Sequence, residues 1–241
     1  MPAGTTPLIV FTHVPKTSGT SFRKALVEAN LAPERISRYG NASRFLRDRG
    51  TERAFVWGHM PSGVHLLTRR RIEYVTFLRD PVDRAVSYYY FVKDSDPRFY
   101  KHPERDEADA LSLTEFYSLR KYQNWQTRFL AGLPYHHLYP HLDSERFDRA
   151  TLSAAIRNLT ERYACFGMQE RFEESLEVFQ RHFEWQRRGE VPREKRTGTR
   201  PGLGELDAET RRSLRESNAL DCRLYEAAEE RFEDQLERAA A

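Results

Sequence analysis

The 241-residue sequence predicts an α/β fold of three layers, with a mostly parallel central sheet and helices on both faces. Three observations carry this. Short apolar runs rich in β-branched and aromatic residues alternate with longer stretches whose apolar residues recur at helical spacing. The first of these runs feeds a helix through a short polar loop, residues 13–20, that holds one Lys and one Gly. Three polar groups suited to chemistry, the 13–20 loop, His59 and Arg79, each fall just after a strand. In an open parallel sheet the carboxyl ends of the strands are where ligands bind.

The elements follow in order. Leu8–Thr12 reads as the first strand and Thr20–Ala29 as its helix, with Phe22, Leu26 and Ala29 on one side. Arg35–Tyr39 reads as a short second strand, and Ala42–Arg49 as a short helix. Ala54–Trp57 is a buried strand that ends at Gly58-His59. Val64–Thr68 is a helical turn before the basic run Arg69-Arg70-Arg71, read as a solvated edge or else as part of an acceptor-facing rim. Ile72–Leu78 is the strongest strand pattern in the chain. Asp80-Pro81-Val82-Asp83 reads as an N-cap, a Pro at the first helical position and an acid in the first turn. The helix then runs to about Val92, its Tyr88–Phe91 cluster mostly in the core, with one ring a candidate to line the cofactor or acceptor cleft.

Lys93 to Leu111 is polar and is expected to be a surface insertion; a loop of that length is a candidate for acceptor selection. Ser112–Arg120 and Gln123–Leu130 read as helices, the first opened by a capping box of Ser112 and Glu115. Leu152–Asn158 is helical, Tyr163–Gly167 is the last strand, and Gln169–Trp185 is an amphipathic helix. Gly189 to Leu206, with several basic residues, reads as a loop or lid. Asp207 caps a helix, and a final helix covers about Asp221–Arg238. No repeat or domain boundary is visible, so residues 1–241 are expected to form a single domain.

Composition narrows the function. A net charge of +3, from 39 basic and 36 acidic residues, is no signature of a nucleic-acid binder, yet it allows a locally basic cleft. Two cysteines, Cys165 and Cys222, supply neither a disulfide framework nor a zinc motif. His136, His137 and His141 do not line up for a metal, because Pro140 breaks the helix that would align them. No apolar run is long enough to span a membrane.

The 13–20 loop has the makings of an anion site. Loop amides and the first turn of the helix have no intrahelical acceptors, and the helix dipole favours a negative charge there. Lys16 adds a full charge, and Thr17, Ser18, Thr20 and Ser21 add hydroxyls around Gly19. In the Walker loop the Lys follows the second Gly, whereas Lys16 precedes the single Gly19 by three residues. No strand ends in a convincing magnesium carboxylate, so the loop suits a phosphate-like group that does not depend on magnesium.

The stretch HVPKTSGTSF (13–22) resembles the 5′-phosphosulfate loop of sulfotransferases that use 3′-phosphoadenosine 5′-phosphosulfate (PAPS). The likeness is greatest to the heparan sulfate 2-O- and 6-O-sulfotransferase group and its bacterial relatives. YVTFLRDPVDRAVSYYYF (74–91) resembles that family's 3′-phosphate motif, and weaker echoes lie at GHMPSGVH (58–65), NWQTRFLAG (124–132) and FGMQERFEESLEVF (166–179). The resemblance implies a P-loop-like three-layer fold and PAPS as co-substrate. It implies a 5′-phosphate site of Lys16, Thr17, Ser18, Gly19, Thr20 and Ser21, and a 3′-phosphate site of Arg79 and Ser87. It also implies a catalytic His59, in the region where glycan-modifying relatives carry their base, with His65 as the alternative. Basic residues of the late loop, Lys195, Arg196 or Arg200, are candidates to close over the 3′-phosphate. Glu170 and Asn124-Trp125-Gln126 match family positions whose roles the sequence does not assign.

The expected reaction is in-line transfer of the sulfonate to a hydroxyl of an acceptor, a glycan or polysaccharide. Lys16 would meet the charge on the leaving oxygen, and no metal is called for. The competing readings are a P-loop kinase or NTPase, which would need magnesium and ATP, and a nucleotide-binding module without turnover. With neither a membrane anchor nor a signal peptide in the sequence, the expectation is a cytoplasmic enzyme or an excised soluble catalytic domain. Oligomeric state is left open.

Overall fold

In a computed structural model, residues 7–40, 44–45, 53–96, 98–187 and 200–240 are described. Five strands form one all-parallel sheet: β1 (Leu8–Thr12), β2 (Ile36–Arg38), β3 (Phe55–Gly58), β4 (Ile72–Leu78) and β5 (Tyr163–Met168). Their spatial order is β2-β3-β1-β4-β5. The first strand therefore sits in the middle, with Val10 paired to Val56 on one side and to Tyr74 on the other. The chain builds out to β2 and β3, then crosses β1 to add β4 and β5. That reversal beside β1 is where an open α/β sheet forms its ligand crevice.

Strand alternation fills two faces. Phe11, Phe55 and Phe77 meet Phe22 and Phe179 on one face, all of them fully buried. Phe22 belongs to α1, which runs from Gly19–Phe22 through a π-turn at Arg23–Val27 to Glu28–Asn30, and Phe179 to α8 (Phe172–Phe183). The opposite face packs on α5 (Trp125–Ala131), α7 (Glu145–Glu161) and α10 (Ala219–Ala240), with Phe166 against Phe232 of α10. This is the three-layer α/β arrangement that the alternation of patterns predicts. A second apolar cluster, around Val86, Tyr89, Phe116 and Leu214, joins α2 (Pro81–Lys93), α3 (Arg105–Ala110), α4 (Leu113–Ser118) and α9 (Ala208–Ser217). A further short helix, α6, is Leu133–Leu138.

Most predicted elements recur within a residue or two. The N-caps at Asp80 and Asp207 and the Ser112–Glu115 capping box form as expected. Three readings change. The 93–111 stretch is not all loop: α3 lies inside it, tied to α2 by the Tyr88 hydroxyl donating to Glu104 at 2.5 Å. The helix read as Leu152–Asn158 is α7, which starts seven residues earlier because the Ser144 side chain caps Phe147 N. Gln169–Trp185 divides into a 3₁₀ turn, Gln169–Arg171, and α8. Most of the expected helix at 42–49, of which residues 44–45 are described and helical, and most of the 189–206 loop lie outside the described residues.

Candidate active site

The loop after β1 contains two residues with positive φ. Lys16 (φ 70°) and Ser18 (φ 63°) both take left-handed backbone conformations that side chains usually avoid. Left-handed residues in a short loop ahead of a helix are a feature of backbone concavities that bind anions. The Thr17 side chain is fully buried and donates to Val14 O at 2.9 Å. That bond closes the turn and leaves Thr17 only its backbone N–H for a ligand. Ser18, Thr20 and Ser21 are partly exposed around the first turn of α1. Gly19 is required by contact: a Cβ there would lie 2.4 Å from His13 Cδ2 and 2.8 Å from Phe11 Cε1. Lys16 extends beside α2, its Nζ 4.5 Å from the centre of the Phe91 ring.

His59 follows β3, next to the loop. Its ring stacks on His13 with centroids 4.9 Å apart, and its Nδ1 is 2.9 Å from His13 O. A carbonyl can only accept, so Nδ1 carries the proton and Nε2 is left with a lone pair. The ring is exposed, but the walls around it strip hydration from the cation. This desolvation pulls its pKa below the ordinary imidazole value, against the stabilising bond to His13. The shift favours the neutral form of the His59 ring. His13 behind it has its pKa lowered to about 3, first by burial and then by His59, Arg38 and Arg23. It supports the loop and His59 rather than exchanging protons.

His65, the alternative base, lies elsewhere. Its Nδ1 is 2.9 Å from the Tyr74 hydroxyl and its Nε2 is 3.2 Å from Arg162 Nη1. Tyr74 is near the start of β4 and Arg162 precedes β5, so His65 sits toward the opposite edge of the sheet.

Arg79 follows β4 and is 6% exposed. Its Nη1 donates to Lys16 O at 2.9 Å, and its Nε donates to Asp83 Oδ2 at 2.9 Å, with Nη2 on the same oxygen. Thus the strand-end arginine is bonded to the 13–20 loop itself. Arg200 reaches Asp83 from the late loop. Burial works to raise the Asp83 pKa, but the Arg200 and Arg79 guanidiniums outweigh it and hold the carboxyl below its ordinary range. Two arginines therefore grip one anionic group at this spot. Ser87 is buried one helical turn beyond Asp83 on the same face of α2.

The structure thus gathers the loop, His59 and Arg79 at one sheet edge and places Ser87 on the adjoining helix. Sequence reading missed His102. Its pKa is lowered first by burial and then by the charge of His59. His102 Nδ1 accepts from Glu104 N at 3.3 Å, and its ring packs edge-on against Tyr88, Phe91 and Tyr100. No spacing pattern links residues 59 and 102; only the return of the chain after α2 brings them together. Among the described residues no cluster of three or more His, Cys, Asp or Glu is placed to hold a metal ion. None of the described helices is long and apolar enough to cross a membrane.

Comparison with known proteins adds an independent line. The family model for galactose-3-O-sulfotransferase matches residues 59–241, from His59 onward through Arg79 and Ser87. The chain is also similar to two proteins named heparan-sulfate 6-O-sulfotransferase 2. Identity is 26% to that of Gallus gallus, over 93% of this chain and 66% of the relative. It is 27% to that of Danio rerio, over 93% of this chain and 58% of the relative. The chain spans less than two thirds of the length of either.

Proposed function

Because this chain belongs to the galactose-3-O-sulfotransferase family, we propose that it moves the sulfonate of PAPS to a hydroxyl of a carbohydrate acceptor. The observation that carries the reading is the meeting of three groups at one sheet edge: the Lys16 loop, His59 with an open Nε2, and Arg79 bonded to that loop.

In this reading the N–H groups of residues 17–21 and the hydroxyls of Ser18, Thr20 and Ser21 hold the 5′-phosphate. Arg79 and Ser87 hold the 3′-phosphate, with Arg200 beside them. Arg79 has five N–H donors, and three are engaged with Lys16 O and Asp83, which leaves two for an anion. His59 Nε2 takes the proton of the acceptor hydroxyl as its oxygen attacks sulfur. The bond from sulfur to the bridging phosphate oxygen breaks, and adenosine 3′,5′-bisphosphate leaves. Negative charge builds on that bridging oxygen, and Lys16 is the cation at hand to stabilise it. A sulfonate carries less charge than a terminal phosphate, so one lysine and a ring of amides suffice without a metal.

The test is transfer of labelled sulfonate from PAPS to a panel of glycans, with and without a chelator. The proposal expects labelled glycan in both conditions. Phosphorylation from ATP that a chelator stops would establish a kinase instead. Tight nucleotide binding with no transfer to any acceptor would leave a binding module.

A further inference from the structure

Arg79 has a task in the proposed transfer; the 124–132 motif and Glu170 have none. Their contacts converge on the backbone that carries Arg79. The Gln126 side chain is 1% exposed, and both of its polar atoms go to one residue. Arg79 N donates to Gln126 Oε1 at 2.9 Å, and Gln126 Nε2 donates to Arg79 O at 2.8 Å. β4 has ended at Leu78, so the sheet ladder no longer supplies partners to Arg79. The primary amide takes over, donating and accepting as a neighbouring strand would. On the next residue, Asp80 N donates to Glu170 Oε1 at 2.9 Å, while Glu170 Oε2 accepts from the Tyr225 hydroxyl at 2.7 Å.

Gln126 is itself held from the far end of the chain. Asp221 of α10 accepts from Gln126 N at 3.2 Å and from Thr127 N at 2.7 Å, so it caps the start of α5. Asn124 Oδ1 accepts from Leu220 N at 2.9 Å and Asp221 N at 3.0 Å, capping α10 in return. Asn124 takes a left-handed conformation (φ 53°), a form that Asn tolerates better than most residues. The two helix starts are thus locked by side chains more than ninety residues apart.

We propose that Gln126 is the positioning residue for 3′-phosphate recognition: it fixes the Arg79 backbone, and through it the direction of the guanidinium. The inference rests on the reading that Arg79 meets the 3′-phosphate. A long side chain turns a small backbone rotation into a displacement near 1 Å at its tip, and a site needs tighter registration than that. Nothing in the contacts of Gln126 reaches the 13–20 loop directly, so its effect falls on the arginine first.

The experiment measures Kd for adenosine 3′,5′-bisphosphate and for adenosine 5′-phosphate on the full chain by calorimetry. Wild type, Gln126→Met and Gln126→Glu are compared, with thermal unfolding in parallel. Wild type should prefer the bisphosphate. Gln126→Met should lose about tenfold or more of that preference, with the affinity for adenosine 5′-phosphate changed by less than about twofold. Gln126→Glu keeps an acceptor for Arg79 N and loses the donor to Arg79 O, so it should lose part of the preference. If the Met variant does not fold, the Glu variant decides. Folded variants that retain the wild-type preference, or that weaken both nucleotides by one factor, overturn the proposal. A wild type with no preference overturns instead the reading of Arg79 on which it rests.

Discussion

Gly19→Ala adds one methyl group at the most crowded point of the loop. The new Cβ would stand 2.4 and 2.5 Å from two atoms of the His13 ring and 2.8 Å from Phe11 Cε1. Ordinary contact requires the His13 ring to retreat by about 1 Å. It has little room, because it is stacked between Phe11 at 5.3 Å and His59 at 4.9 Å, with Trp57 at 5.8 Å. Overpacking of this kind costs about 1–3 kcal/mol. Replacing a helical Gly by Ala returns at most about 1 kcal/mol. Subtracting that full return leaves a net loss of up to about 2 kcal/mol, a fall in Tm of up to roughly 8 °C for a chain of this size. The rate should suffer more than stability, because the displaced ring pushes on His59 and its carbonyl anchors His59 Nδ1. A shift of 1 Å in a catalytic group can cost roughly 10²-fold. Differential scanning calorimetry and the transfer assay read the two effects. A variant with wild-type Tm and wild-type rate would show that His13 yields freely and that the close approach is no constraint.

Lys16→Ala should lower turnover more than it weakens adenosine 3′,5′-bisphosphate, since its partner is charge that develops during transfer; equal losses in a rate and titration series would make Lys16 a ground-state clamp. Arg79→Ala should weaken the bisphosphate by about 1.5–3 kcal/mol, the scale of a charged hydrogen bond. Adenosine 5′-phosphate should weaken less, through the lost bond to Lys16 O, and calorimetry showing equal losses would make Arg79 purely structural. Acid should destabilise the fold through His13 and His136, both lowered to about 3 chiefly by burial. The unfolded chain binds these protons below about pH 6.5 and the folded chain does not, so their contribution is complete above that pH and is lost between about 6.5 and 3. Each contributes up to about 1.4 kcal/mol per pH unit, so His136→Gln should flatten the fall of Tm from pH 7 to 4, and an unchanged slope would contradict the assignment.

The sequence displays the sheet well because each strand is a compact apolar run at the centre of the fold, and the caps at Asp80, Ser112 and Asp207 are local pairings three residues long. The loop, His59 and Arg79 are legible for the same reason: each follows a strand, and parallel strands end together. Helix α3 is hidden because its sequence RDEADA has one buried position, Ala108, and so no apolar period. The start of α7 is hidden because its first turn is polar and its signal is a single Ser. Three features depend on contacts across the fold and have no local signature. They are the approach of His102 to His59, the reciprocal caps of Asn124 and Asp221, and the grip of Gln126 on Arg79.

The role of His59 is tested most directly by the pH dependence of sulfonate transfer at saturating PAPS in wild type and His59→Ala, with bisphosphate affinity measured alongside. Wild-type rate should rise with pH through an ionisation below the ordinary imidazole value of about 6.5, since desolvation by its surroundings lowers the His59 pKa. His59→Ala should bind the bisphosphate as wild type does, lose that ionisation, and transfer roughly 10²–10⁴-fold more slowly. A variant that keeps most of its rate, or keeps the same pH profile, would contradict the assignment of His59 as the base.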